Sequence, residues 1–242
     1  MKDSQIVILH GWTSSQETKN KWQPLIKLLQ SRGYRVSLFQ LPGLTQSLSV
    51  SWNLDQYVDW VNDQLGKSSP AIIVGHSFGG QLAIKLTALH PEKVKNLILI
   101  DSSGVPDHRW FKRLKRLVFF TLAKLGKHLP YKKTLRAWLY LLARERDYYQ
   151  ATELQKATMR QAIREDIRQL ATQVTTPTLV IWGENDQTTP LFMGKSLTSL
   201  IPQSKLRVIA QARHSPQYTH PGEVVELIDS WLQLTKKAKR ID

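Results

Sequence analysis

The sequence predicts an α/β protein: a mostly parallel sheet of about six strands flanked by helices, with a helical insertion after the fourth strand. Three observations lead there. Short apolar runs rich in β-branched residues recur along the chain, helical patterns fall between them, and successive runs lie about 25 to 35 residues apart. One interval, residues 101–177, breaks this rhythm with helical patterns and no strand.

Taken in order, the first run is QIVIL at 5–9, followed by a polar turn and a helical pattern over 21–31. RVSLF at 35–39 and a helix over 54–66 come next, then AIIVG at 71–75 with a helix over 77–89. NLILI at 96–100 precedes the long interval. Beyond it stand TLVIW at 178–182, a helix over 191–200, KLRVI at 205–209 and a last helix over 222–234. Several runs are continuously apolar rather than alternating, as in strands buried on both faces. The layout divides the chain into a core, 1–104 with 174–242, and an insertion, 105–173.

Between the third strand and its helix lies Gly75-His76-Ser77-Phe78-Gly79. A turn this tight forces its central residue toward unfavourable backbone angles, and only neighbours without side chains let the chain cross itself so closely. Ser77 is thereby presented at the end of the sheet and the start of a helix. A serine that merely caps that helix is the competing reading.

A serine hydroxyl is a weak nucleophile and needs an imidazole base oriented by a buried carboxylate. Asp186 follows TLVIW in the loop GENDQTTP, and His214 follows KLRVI in RHSPQYTHP. Glu184 and Asp101 are alternative acids. His10, His76, His90 and His220 are alternative bases, of which His10 and His76 flank glycine turns and are expected to brace backbone. Two backbone N–H groups must also face the oxygen that becomes negative. Phe78, next after the serine, offers one, and Trp12 in HGW, after the first strand, offers the other.

The motifs LHGW (9–12), LPG (41–43), GHSFGG (75–80), WGENDQTTP (182–190) and RHSPQYTHP (213–221) together resemble those of α/β-hydrolase-fold serine hydrolases. They run through nearly the whole chain outside the insertion. The resemblance implies a catalytic triad of Ser77, Asp186 and His214, an oxyanion hole from the amides of Trp12 and Phe78, no cofactor, and cleavage of a small-molecule carboxylic ester through an acyl-enzyme. Thioesterases and carbon–carbon bond hydrolases use the same residues. Serine rather than aspartate at 77 speaks against the epoxide hydrolase and haloalkane dehalogenase branches. With few residues ahead of the first strand, the antiparallel strands that open many family members are expected to be absent.

Composition narrows the remaining classes. The chain has no cysteine, so disulfides and thiolate metal sites are excluded. It has no G-x-G-x-x-G after the first strand, no Walker lysine and no H-x-x-x-H spacing, so neither a nucleotide cofactor nor a metal is implied. No apolar run approaches a membrane span and the amino-terminal one is too short for a signal peptide, so a cytoplasmic protein is expected. The net charge is +15, and residues 104–170 alone hold 16 Lys and Arg against 6 Asp and Glu. Within that segment, 109–129 reads as an amphipathic basic helix. Trp110, Phe111, Phe119, Phe120 and Trp138 are candidates to line an acyl pocket. A helix over 159–170 would place Met159, Ile163, Ile167 and Leu170 on one side and Arg160, Arg164 and Arg168 on a neighbouring stripe.

Such a segment serves either as a lid with solvated charges or as a docking surface. Similarity to the pimeloyl-acyl-carrier-protein methyl ester esterases implies an acidic partner, an acyl carrier protein, whose phosphate suits an arginine stripe. Peripheral contact with an anionic membrane is the other expectation, from 109–129. No recognised nucleic-acid motif accompanies the charge, so no specific nucleic-acid partner is implied and any such attraction would be salt-sensitive and sequence-blind.

Overall fold

The computed structural model describes residues 5–13, 17–45, 48–66, 70–106 and 151–238. Its centre is a six-stranded sheet in the order β2-β1-β3-β4-β5-β6, formed by β1 (Gln5–Leu9), β2 (Arg35–Phe39), β3 (Ala71–His76), β4 (Val94–Ile100), β5 (Thr178–Gly183) and β6 (Ser204–Ile209). Every pairing is parallel. These are the six runs read from the sequence, each within two residues of its expected bounds.

Side chains alternate across the pleat and both faces are buried. Val7, Leu9, Ile73, Leu97, Leu99, Val180 and Trp182 point to one side, where they pack with α2 (Leu54–Leu65) and α3 (Phe78–Leu89). Ile6, Ile8, Ile72, Val74, Ile98 and Ile181 point to the other, against α1 (Thr18–Ser31) and the carboxyl-terminal helix. Most of these side chains are fully buried, each contributing about 1.5–3 kcal/mol. Helix starts are also chemically marked. Asn53 caps α2 in a reciprocal box, accepting from the Gln56 N–H at 2.9 Å while its own N–H donates to Gln56 Oε1 at 3.0 Å.

The strand order positions the site. After β1 the chain crosses to β2 on one side, then returns to β3 on the other, so the loops leaving β1 and β3 diverge at the carboxyl edge. Open parallel sheets bind ligands in the crevice that opens at this reversal. Trp12 leaves β1 and Ser77 leaves β3, so both flank it.

Residues 107–150 lie outside the described residues, and with them Trp110, Phe111, Phe119, Phe120, Trp138 and the 109–129 segment. The returning end of the insertion is described, as α4 (Glu153–Arg164) and α5 (Arg168–Thr172). Here the expectation of one helix over 159–170 needs correction, because the chain breaks between the two. The Glu165 carboxylate bonds to Lys85 Nζ of α3 and its carbonyl accepts from Gln81 Nε2 at 3.0 Å. Asp166 then accepts from the Arg168 amide at 3.0 Å, starting a new helix. Ile167, at the break, is fully buried with Ala171 and Val174 in the core below. Arg160, on α4, is exposed, and beyond the break the Arg168 guanidinium bonds to Asp166 at 2.6–3.0 Å. After β5 come α6 (Leu191–Leu200), α7 (Pro216–Thr219) and α8 (Pro221–Ala238).

Candidate active site

Ser77 sits between β3 and α3 with φ 51° and ψ −117°, a left-handed conformation that a non-glycine residue rarely adopts. Hydrogen bonds on every side hold it there. Its amide donates to Ile100 O at 3.1 Å, and its carbonyl accepts from the amides of Gly80, Gln81 and Ser103 and from the Ser103 hydroxyl, all at 2.9–3.2 Å. The glycines around it are steric necessities. A Cβ on Gly75 would lie 2.5 Å from Gly79 O, and one on Gly79 would lie 2.0 Å from Leu9 O. The Ser77 side chain makes no capping bond to α3, so the helix-cap reading fails.

The loops after β5 and β6 bring Asp186 and His214 together, His214 Nδ1–H donating to Asp186 Oδ2 at 2.8 Å. Asp186 is fully buried and its carboxylate is satisfied by three more donors: the Thr188 amide at 2.7 Å, the Thr189 amide at 3.0 Å and the Thr189 hydroxyl at 2.7 Å. With Nδ1–H engaged by this carboxylate, Nε2 is the unprotonated nitrogen of the neutral imidazole. The His214 side chain is 23% exposed, so one side of it is open to solvent.

His214 and Ser77 line one cavity of about 600 Å³, with Gly11, Trp12, Thr13, Thr18, His76 and Tyr218 in its walls. That size suits a small ligand. The Phe78 amide, in the first turn of α3, has no intrahelical acceptor. The Trp12 amide takes no part in the backbone hydrogen bonds found among the described residues. Phe78 itself is buried, edge-on to Tyr57 with ring centres 5.2 Å apart.

The other candidates fall away from this chemistry. His10 donates from Nδ1 to Gly11 O at 2.8 Å and accepts the Leu41 amide on Nε2 at 3.2 Å, tying HGW to the LPG loop. Burial pushes its pKa down to about 4, so it is neutral. His76 donates from Nε2 to the His214 carbonyl at 3.2 Å and is held neutral by burial and by the neighbouring His214. Both brace backbone. His90 lies 3.8 Å from Glu92 and the half-buried His220 contacts Thr219, neither of them in the cavity wall. Glu184 accepts the Gln211 amide at 3.0 Å.

Sequence reasoning overlooked Thr189. Its hydroxyl lies 2.7 Å from Asp186 Oδ2, 3.1 Å from His214 Nδ1 and 3.1 Å from the Asp101 carbonyl, so it links both carboxyl-bearing residues to the imidazole. The signal was available. A threonine three residues after an aspartate, inside a turn ending at Pro190, is placed to bond back to that side chain.

Fold and site together define the class of α/β-hydrolases. The chain belongs to the α/β-hydrolase fold family, which it matches over residues 5–221. It is 28% identical to a pimeloyl-[acyl-carrier protein] methyl ester esterase of Nitrosomonas europaea, over 93% of this chain and 94% of the relative. It is 26% identical to the biotin biosynthesis bifunctional protein BioHC of Teredinibacter turnerae over 98% of this chain; that protein is longer, and the chain spans 47% of it. Among solved structures, MGS-MChE2, an α/β hydrolase enzyme from a lagoon-sediment metagenome at Mar Chica, shares the fold with a TM-score of 0.71 at 23% identity, over 97% of this chain and 93% of that one. Among the described residues no helix is long and apolar enough to cross a membrane.

Proposed function

We propose that the protein is a serine hydrolase cleaving a carboxylic ester. The observation that carries this reading is an imidazole bonded on one side to a buried carboxylate and sharing its cavity with a serine on a strained strand-to-helix turn. His214 Nε2 takes the proton from Ser77 as Oγ attacks the ester carbon. The amides of Trp12 and Phe78 stabilise the oxyanion. His214 then protonates the departing alkoxide, and water activated by the same nitrogen releases the acid from the acyl-enzyme.

The substrate class we favour is an acyl ester delivered by an acyl carrier protein. The relatives named as pimeloyl-acyl-carrier-protein esterases support it, as does the basic balance of residues 104–170. In this reading 105–173 forms a lid whose two ends meet beside the nucleophile: the Ile167 amide donates to Gly104 O at 3.2 Å, next to the Ser103 that bonds Ser77.

The test is hydrolysis of p-nitrophenyl esters of two to twelve carbons by wild type and Ser77→Ala, with fluorophosphonate labelling in parallel. Labelling and turnover that both vanish in the folded variant, with a loss of several orders of magnitude in kcat, are expected. Full activity in Ser77→Ala overturns the assignment. Salt-sensitive capture of the protein by immobilised acyl carrier protein tests the delivery step, and anionic vesicles in the same assay test a membrane instead.

A further inference from the structure

The proposed chemistry leaves unused a buried carboxyl that stands beside the site. Asp101 follows β4, wholly buried, with φ 43°. Its amide donates to Ile181 O at 3.1 Å, its carbonyl lies 3.1 Å from the Thr189 hydroxyl oxygen, and its Oδ1 accepts the Gly183 amide at 2.8 Å. Oδ2 is buried without a hydrogen-bond partner. A carboxyl oxygen of Asp101 and one ring nitrogen each of His76 and His214 all lie within 4.8 Å of one another. The His214 imidazole therefore has two carboxyls beside it, Asp186 in direct contact and Asp101 one step away.

The titratable groups around Asp101 come from four loops and strands. From β3 comes His76, neutral because buried; from the loop after β1 comes His10, also neutral. The loop after β5 supplies Asp186 with its four donors, and the loop after β6 supplies His214. Burial first, and the nearby Asp186 charge second, push the Asp101 pKa up to about 8. At neutral pH it is an acid, and above that range an anion.

We propose that Asp101 is a positioning residue for the proton of His214: a second carboxyl beside the imidazole whose anionic form strengthens His214 as a base. It rests on the reading of His214 as the base that serves Ser77. When Asp101 ionises, its proton goes to solvent hydroxide as water. The carboxylate left behind lies near the imidazole, and a proton taken from Ser77 then sits between two anions. An opposite charge at about 4–6 Å raises proton affinity roughly tenfold or more.

The experiment follows two signals in the wild-type protein from pH 5 to 10 by NMR: the carbon-13 carboxyl of Asp101, assigned by its loss in Asp101→Asn, and the ring of His214, assigned from His214→Gln. The expected result is an Asp101 titration near pH 8 accompanied by a second step in the His214 signals, with one step alone in Asp101→Asn and a proton affinity of His214 at least about tenfold lower there above pH 8. An Asp101 titration in the ordinary carboxylate range, or His214 curves that coincide in the two proteins, overturns the proposal. If Asp101→Asn does not fold, the Asp101 carboxyl signal is assigned in wild type through its bonds to the Asp101 backbone, and wild type decides: common movement of the two signals supports the proposal and independent movement refutes it. Absence of esterase activity removes the reading of Ser77 and leaves these titrations unaffected, so the two failures are separable.

Discussion

Gly79 stands in the first turn of α3 against the end of β1, and replacing it by alanine gives a sharp test of how the nucleophile turn is built. A Cβ there would lie 2.0 Å from Leu9 O, 2.5 Å from Leu9 C and 2.6 Å from His10 O. All three are backbone atoms and none can swing aside as a flexible side chain would. Either α3 or the end of β1 must shift by an ångström or more. Overpacking of this kind costs about 1–3 kcal/mol where neighbours can yield, and a rigid backbone neighbour puts Gly79→Ala at about 3 kcal/mol or above. At about 2–4 °C per kcal/mol for a chain of this size, Tm falls by about 6–12 °C. Trp12 follows three residues after Leu9, so the same shift displaces a proposed oxyanion donor, whose loss costs about 10²–10³ in kcat. Calorimetry and p-nitrophenyl ester turnover measure both. Gly222→Ala is the control, since a Cβ there meets nothing within 4 Å, and it is expected to melt like wild type. A Gly79→Ala protein that melts within about 2 °C of wild type and keeps full kcat would refute the steric account.

Asp186→Asn keeps the shape of the side chain but inverts the tautomer preference at His214, and kcat is expected to fall by about 10⁴ with little change in fold; a loss under tenfold would mean that another acid serves the imidazole. His10 is neutral when folded, with a pKa near 4 against 6.5 when unfolded, so its contribution is complete above pH 6.5 and is lost as pH falls toward 4. That is about 3 kcal/mol at the acid end. Because Asp101, with its raised pKa, changes stability in the opposite sense, favouring the fold at low pH, the check is the difference in urea midpoint between wild type and His10→Gln at pH 7 and 4.5, which should narrow on acidification. Lys85→Met removes the cation that joins Asp55 of α2, at 2.7 Å, to Glu165 of the returning insertion. Both carboxylates retain some solvent access, so the expected loss is about 1–2 kcal/mol by urea unfolding, with faster proteolysis within 153–172. An unchanged midpoint and cleavage rate would show that the tie is idle.

Local pattern carried much of this structure. Val74 and Ile98 announce buried strands through β-branching and the absence of polar neighbours, and β3 and β4 lie where those runs fall. Asp186 and His214 could be named because each follows a strand directly, and parallel strands bring such loops to one edge. Long-range events were less legible. The break at Glu165 depends on Lys85, eighty residues earlier in the chain, and helical periodicity over 159–170 contains nothing about it. Asp101 read as a rival to Asp186 because both follow strands. Only the hydrogen bonds separate them: Asp186 collects four donors, the His214 imidazole among them, while Asp101 has one donor to its carboxyl and an oxygen with none.

The meeting of Gly104 with Ile167 has a consequence for how such a chain can change. Because the insertion leaves and rejoins the sheet at nearly one point, its length is almost decoupled from the strands. Doubling a closed loop costs only about 0.6 kcal/mol in entropy. On the proposed reading of 105–173 as a lid, the sheet edge with Ser77, Asp186 and His214 would act as a socket into which different covers could be exchanged. Transplanting the insertion of a relative between Gly104 and Ile167 offers a route to altered substrate preference without redesign of the catalytic edge.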